Sequence, residues 1–190
     1  MMKQQDLIDE FIRNPVIAAV RDSRQLEQAI TSKAKTVFLL SGSINNLAEA
    51  CATIRLNRRL CFLHADLIEG LRPDQQGLRY IAEHLRPDGI ITTKPSCVKW
   101  AQALGLSTVQ RIFMLDSTAV QDGLRNIQAC QPDLVEIMPG VSEKVIRLAC
   151  EHFRRPLIAG GLISTPEDVR TALAAGALAV STSEAELWEL

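Results

Sequence analysis

The sequence predicts a compact (β/α)8 barrel of the TIM type, an α/β fold of parallel strands joined by short loops, and three observations carry that reading. Eight short apolar runs bounded by turn residues alternate with stretches of helical period. Their starts recur about every 23 residues, the length of a minimal strand–helix unit, and a count of eight favours ring closure over an open doubly wound sheet. No linker or low-complexity segment divides the chain, so residues 1–190 read as one barrel domain, with an N-terminal helix over 1–14 and βα repeats over 15–190.

Taken in order, Leu7, Ile8, Phe11 and Ile12 lie at helical spacing and predict a helix that plugs or flanks the barrel bottom. The strands are VIAAV from Val16, KTVFLL from Lys35, LCFLHA from Leu60, DGIITT from Asp88, STVQRIFML from Ser107, DLVEIM from Asp133, PLIA from Pro156 and ALAVST from Ala177. Helices start at Ser23, Asp74, Ser96, Ser117, Ser142 and Thr165, each with a side-chain oxygen able to accept from an early helical N–H. The clearest begins at Thr165 with Pro166 at its first position, carries Val169, Leu173 and Ala174 as an apolar stripe, and closes at Gly176. Only seven residues follow Ser183, so the eighth helix is stunted.

A composition with 47% hydrophobic and 23% charged residues excludes a disordered chain, and a formal charge of -1 excludes a polycation that coats nucleic acid or an anionic membrane. Five cysteines and three histidines are scattered without metal-ligand spacing, so no metal or cofactor is expected. Without a signal-peptide pattern or an apolar run of about 18 residues, the chain reads as a cytoplasmic protein that makes no membrane contact.

In such a barrel the loops after the strands form the functional face. The seventh strand ends in AGGLIS, where Gly160 and Gly161 let backbone N–H groups approach an anion. The eighth ends in STSEAE, where Ser183 and Glu186 have capping-box spacing, and the two loops together predict a phosphate cup. Glu184 and Glu186 count against it, since carboxylates compete with phosphate for a helix N-terminus. His64, Asp66 and Glu69 end the third strand in HADLIEG; Arg21, Lys94 and Asp116 with Ser117 extend a polar ring around the mouth. Period-two alternation separates Arg111 from Asp116, so only one of them belongs in the pocket. Glu136 shares a strand face with Leu134 and Met138; buried there it needs a cation, either Lys94 or Arg111.

The ordered set HADLIEG, DGIITTK, QRIFMLDS, DLVEIMPG, PLIAGGLI and ALAVSTS resembles the glycerol-3-phosphate responsive antiterminators, the glycerol uptake operon regulators, over nearly the whole chain from Pro15. The resemblance implies a barrel regulator, not an enzyme, that binds glycerol 3-phosphate and acts on the leader mRNA of glycerol-utilisation genes, permitting read-through. It also implies His64, Asp66 and Glu69 in the first ligand loop, Lys94 after the threonine pair, and Gly160, Gly161, Thr182 and Ser183 at the phosphate. The acidic SEAELWEL tail departs from the family pattern.

A phosphate-binding enzyme is the competing reading: a sugar-phosphate isomerase, epimerase or lyase in which Asp66 or Glu136 abstracts a proton and Lys94 stabilises the developing charge. Loops too short for a water-excluding lid weigh against it. At 4% aromatic residues the chain lacks base-stacking platforms, so RNA contact falls to local cations. Lys33, Lys35, Arg58, Arg59, Arg86, Arg154 and Arg155 all precede strands, which gathers them on the N-terminal barrel face. The helix macrodipole alone also favours cations there, and the oligomeric state, homo-oligomer or monomer, stays open.

Overall fold

Eight parallel strands close into a barrel in sequence order, in a computed structural model that describes residues 4–190. They are β1 (Val16–Val20), β2 (Thr36–Leu39), β3 (Leu60–His64), β4 (Gly89–Thr92), β5 (Ser107–Phe113), β6 (Leu134–Met138), β7 (Leu157–Gly160) and β8 (Ala179–Thr182). Closure is made by β1 on β8, with Val16, Ile17 and Ala18 in register with Val180, Ser181 and Thr182. The strands start one or two residues later than expected where the leading residue does other work. Asp88 precedes β4 and its carboxylate accepts from the Cys61 N–H; Asp133 precedes β6 and accepts from the Thr108 N–H and hydroxyl. Each carboxylate thereby ties down the start of the preceding strand.

The covering helices are α1 (Gln4–Arg13), α2 (Ser23–Thr31), α3 (Leu47–Leu56), α4 (Gln75–Tyr80), α5 (Pro95–Ala103), α6 (Ser117–Cys130), α7 (Glu143–Phe153) and α8 (Pro166–Ala174). A π-helical turn, Ile81–Leu85, continues α4. Asp74, Ser142 and Thr165 cap their helices as expected, the last with a capping box to Asp168. For α2 and α6 the acceptor is Asp22 or Asp116, one residue before the expected serine, because a carboxylate answers the positive helix end better than a hydroxyl. Lys94 occupies the cap of α5 and makes no side-chain cap bond, with Pro95 opening the helix. The eighth unit ends in a 3₁₀ turn, Ala185–Glu189. No helix among the described residues is long and apolar enough to cross a membrane.

Alternation sorts each strand between two cores. Ile17, Phe38, Phe62, Ile91, Val109, Leu134, Ile158 and Ala179 fill the barrel interior, where Leu7 and Phe11 of α1 join them from below. The opposite strand faces pack under the helices, with Val37, Leu63, Ile90, Val135 and Val180 among them. Ile12, expected on the buried face of α1, is 62% exposed. The first three residues of the expected N-terminal helix lie outside the described residues.

The cations grouped before the strands occupy the N-terminal rim but do different things. Arg59 donates to the carbonyls of Ile30, Ser32 and Ala34, closing the C-terminal end of α2. Lys33 donates to the Glu189 carbonyl, Arg155 to the Gln131 side chain, and Arg86 through Nε to the Glu83 carbonyl. Lys35, Arg58, Arg86 and Arg154 are exposed, and the last three adopt φ of 54°, 50° and 49° just past helical segments, where glycine is usual. Arg59→Ala is therefore expected to lower unfolding free energy by about 1–3 kcal/mol in denaturant titrations, since it strips charged donors from three carbonyls. Arg58→Ala should change it by less than about 0.5 kcal/mol.

Candidate functional site

Above its apolar layers the barrel interior turns polar. His64 at the end of β3, Arg111 on β5, Glu136 on β6 and Ser181 on β8 are all buried, and Arg111 stands beside Glu136 in the strand register. The Arg111 Nε donates to Glu136 Oε2 at 2.6 Å, and the Ser181 hydroxyl donates to Glu136 Oε1 at 2.6 Å. Glu136 has no solvent exposure, so an unpartnered charge there would carry a desolvation cost of several kcal/mol; both its oxygens are satisfied instead. Gly160 makes the arrangement fit. A Cβ at that position would lie 2.5 Å from Ser181 Oγ and 2.6 Å from Glu136 Oε1.

Over this network opens a cavity of about 350 Å³ at the C-terminal mouth. Arg21, Arg111, the β7 loop from Gly161 to Ser164 and the β8 end from Ser181 to Glu184 line it, with Ala19, Leu40 and Met138 as apolar wall. Its size suits a small organic ligand. A second cavity of about 380 Å³ lies between α2 and α3, outside the barrel, where Asp22, Glu27 and Glu49 outnumber Arg21. Of the two, the mouth is the one with cationic character.

The residues singled out from the sequence divide sharply by place. Gly161, Thr182 and Ser183 border the mouth cavity, Gly160 stands behind it and Glu136 beneath it. Thr182 points its hydroxyl away from the strand interior: it donates to the Ile163 carbonyl at 2.7 Å and accepts from the Glu184 N–H at 3.1 Å. The Ser183–Glu186 capping box does not form, because the segment winds as a short 3₁₀ turn capped at Glu184 without a side-chain bond. Just ahead of α8, Asp168 reaches back to accept from the Ser164 and Thr165 N–H groups. Those bonds hold the Asp168 carboxyl below its usual range.

Asp66, Glu69, Lys94 and Asp116 do not line the cavity. Asp66 Oδ1 accepts from the Thr92 hydroxyl at 2.8 Å, and Oδ2 accepts from the Thr93 N–H at 2.7 Å and its hydroxyl at 2.8 Å, stitching the β3 loop to the end of β4. Glu69 is exposed, and its backbone bridges to Ser43. Lys94 is exposed at the start of α5, and Asp116 accepts from the Ala119 N–H. Arg111, not Lys94, is the cation Glu136 requires, and the alternation that separates Arg111 from Asp116 resolves in favour of Arg111. Ser181 was missed, although the spacing Ala179, Ser181, Ser183 marks it as inward-facing.

His64 is 3% exposed, and its Nδ1 has no hydrogen-bond partner. Burial first, and the Arg111 charge second, lower its pKa from 6.5 to about 4. A histidine pKa depressed on folding means the unfolded chain binds the extra proton first, so stability drains as pH falls from 6.5 towards 4. The shift corresponds to about 3 kcal/mol. Denaturant midpoints measured across that window should fall in the wild type and much less in His64→Gln. For Asp66→Ala, stability without ligand should drop by about 1–3 kcal/mol, because the buried Thr92 hydroxyl and the Thr93 N–H lose their acceptor; Asp66→Asn, which retains an acceptor oxygen, should recover part of it.

The family model for the glycerol-3-phosphate responsive antiterminators matches residues 16–188. The chain is 36% identical over 178 residues to the Escherichia coli K12 protein YgcP, covering 94% of this chain and 93% of that one. The crystal structure of the glycerol uptake operon antiterminator regulatory protein from Listeria monocytogenes superposes with a TM-score of 0.89 at 32% identity, over 92% of this chain and 94% of the other. That of a glycerol uptake operon antiterminator-related protein from Thermotoga maritima superposes with a TM-score of 0.83, also at 32% identity, over 93% and 99%. With its motifs, its closed barrel and a match across almost its entire length, the chain belongs to the glycerol-3-phosphate responsive antiterminator family.

Proposed function

We propose that this chain is a transcription antiterminator that binds glycerol 3-phosphate in the mouth cavity and, when loaded, binds the leader mRNA of glycerol-utilisation genes. The observation that carries the ligand half is the mouth cavity itself. It is about 350 Å³, floored by the Arg111 side chain and edged by the β7 and β8 ends, at the barrel face where such folds place their ligands. A three-carbon phosphate ester matches its volume and its charge.

Chemistry on the ligand is disfavoured by where the carboxylates lie. A general base must reach the ligand, yet Asp66 lies outside the cavity lining with three hydrogen bonds to Thr92 and Thr93, and Glu136 is buried beneath it, paired with Arg111 and Ser181. Lys94, the expected charge stabiliser, sits exposed on α5 away from the cavity. The RNA half rests on the N-terminal rim, where Lys35, Arg58, Arg86 and Arg154 are exposed. A chain of net charge -1 can meet phosphates through such a local cluster.

A gel shift against the upstream leader transcript, with and without glycerol 3-phosphate, tests the reading together with incubation on small sugar phosphates. The expected result is ligand-dependent retardation and a raised melting temperature with no turnover; turnover without RNA binding would replace the regulator by an enzyme. In the same assay, Arg58→Ala, Arg86→Ala and Arg154→Ala combined should shallow the log–log salt dependence by roughly two to three units and leave ligand affinity unchanged. Wild-type affinity at every salt concentration would move the RNA site to another face.

A further inference from the structure

Arg111 is 8% exposed and spends only its Nε on Glu136; among the described residues its two Nη groups donate to nothing in the protein, and the side chain lines the mouth cavity. The Nη groups are not among the buried unpartnered atoms, so the little of Arg111 that stays accessible is this outer edge, turned to the cavity while the rest of the side chain is enclosed. The same edge is planar and presents paired N–H groups at the spacing of two phosphate or carboxylate oxygens. We infer that Arg111 is the principal anion donor of this site, gripping a phosphate monoester through its Nη edge at the centre of the barrel mouth, while Glu136 and Ser181 act as positioning residues that hold the guanidinium in place. The inference rests on the ligand reading above and sharpens it, since it moves the phosphate from helix N-termini to a side chain.

Three observations point the same way. Ahead of α8 the Ser164 and Thr165 amides donate to Asp168, the first helical position is a proline, the Asp168 amide donates to the Thr165 hydroxyl, and the eighth unit offers only a five-residue 3₁₀ turn, so few helix-end amides are left to an anion. Glu136 is held from the other side by Ser181 Oγ at 2.6 Å, which fixes the carboxylate that fixes the guanidinium. Gly160 leaves the volume in which that triad sits. Ala19, Leu40 and Met138 form an apolar wall for the carbon chain of the ester, and Arg21 with Arg111 outnumbers Glu184 among the charged residues that line the cavity.

Calorimetric titration of the full chain with inorganic phosphate, glycerol 3-phosphate and dihydroxyacetone phosphate is the test, run on wild type, Arg111→Lys and the paired variant Arg111→Gln with Glu136→Gln. The paired variant removes both charges together, so no lone buried carboxylate is left to unfold the barrel. Binding should weaken roughly 10- to 100-fold in the paired variant, as the loss of charge-assisted hydrogen bonds implies, and less in Arg111→Lys, which keeps the charge without the fork. In the wild type, peptide mapping after phenylglyoxal treatment should show Arg111 protected by the esters, a readout that needs no substitution. Unchanged affinity in the folded paired variant, or modification of Arg111 indifferent to ligand, overturns the inference and leaves the glycerol 3-phosphate reading standing. Arginine-dependent binding of another phosphate ester but not of glycerol 3-phosphate does the reverse. Failure of wild type to bind any of the three overturns both.

Discussion

A carboxylate with no solvent exposure sits inside this barrel, and much of the upper half is arranged around giving it hydrogen-bond partners. Glu136 draws one hydrogen bond from β5 and one from β8, so a single side chain ties together three strands of one half of the barrel. The pair Arg111–Glu136 is side by side on neighbouring strands in register, and Ser181 reaches across from two strands away. Exchanging this triad for apolar residues would not leave the fold short of packing, since eight apolar side chains and two from α1 already fill the layer beneath. Its retention in place of a further apolar layer makes sense as a device for the mouth above it.

The fold was legible because the signals that specify it are local. Short apolar runs bounded by turn residues, Asp and Ser caps and the proline that opens α8 are each readable within a few residues, and they agree with one another. The site was less so. Asp66 has the chemistry of a ligand residue, and nothing near it in the chain reveals that Thr92 and Thr93, 26 and 27 residues on, absorb both its oxygens. The pairing of Glu136 with Arg111 was narrowed to two candidates by alternation and decided only by register, which is a property of strand pairing rather than of either strand. Thr182 and Ser181 differ by one position, and that single step exchanges the barrel interior for the helix layer.

The two ends of the barrel carry different surfaces. Around the C-terminal mouth, Phe113, Leu115, Val141 and Leu162 are exposed, and Leu162 holds a φ of 62° on the loop that edges the cavity. At the opposite end three helical segments finish in arginines at positive φ, Arg58, Arg86 and Arg154, a backbone conformation glycine adopts more readily. Cations there complement the negative ends of the helix dipoles, and Lys35, Arg58, Arg86 and Arg154 are exposed along that rim. The cavity and the cationic rim are thus separated by the height of the barrel.

Leu7 and Phe11 of α1 enter the lower interior, are 1% and 0% exposed, and pack with Phe62 and its neighbours. The barrel is consequently a vessel with one opening. A molecule in the mouth arrives and departs by the same route, so its on-rate and off-rate share a common obstruction. Anything seated across the C-terminal rim without touching the ligand slows both in proportion and leaves the equilibrium constant alone, whereas anything bound at the sealed end obstructs neither route and can change one rate relative to the other only by altering affinity. Time-resolved measurements of exchange therefore distinguish the two faces in a way that equilibrium titrations do not.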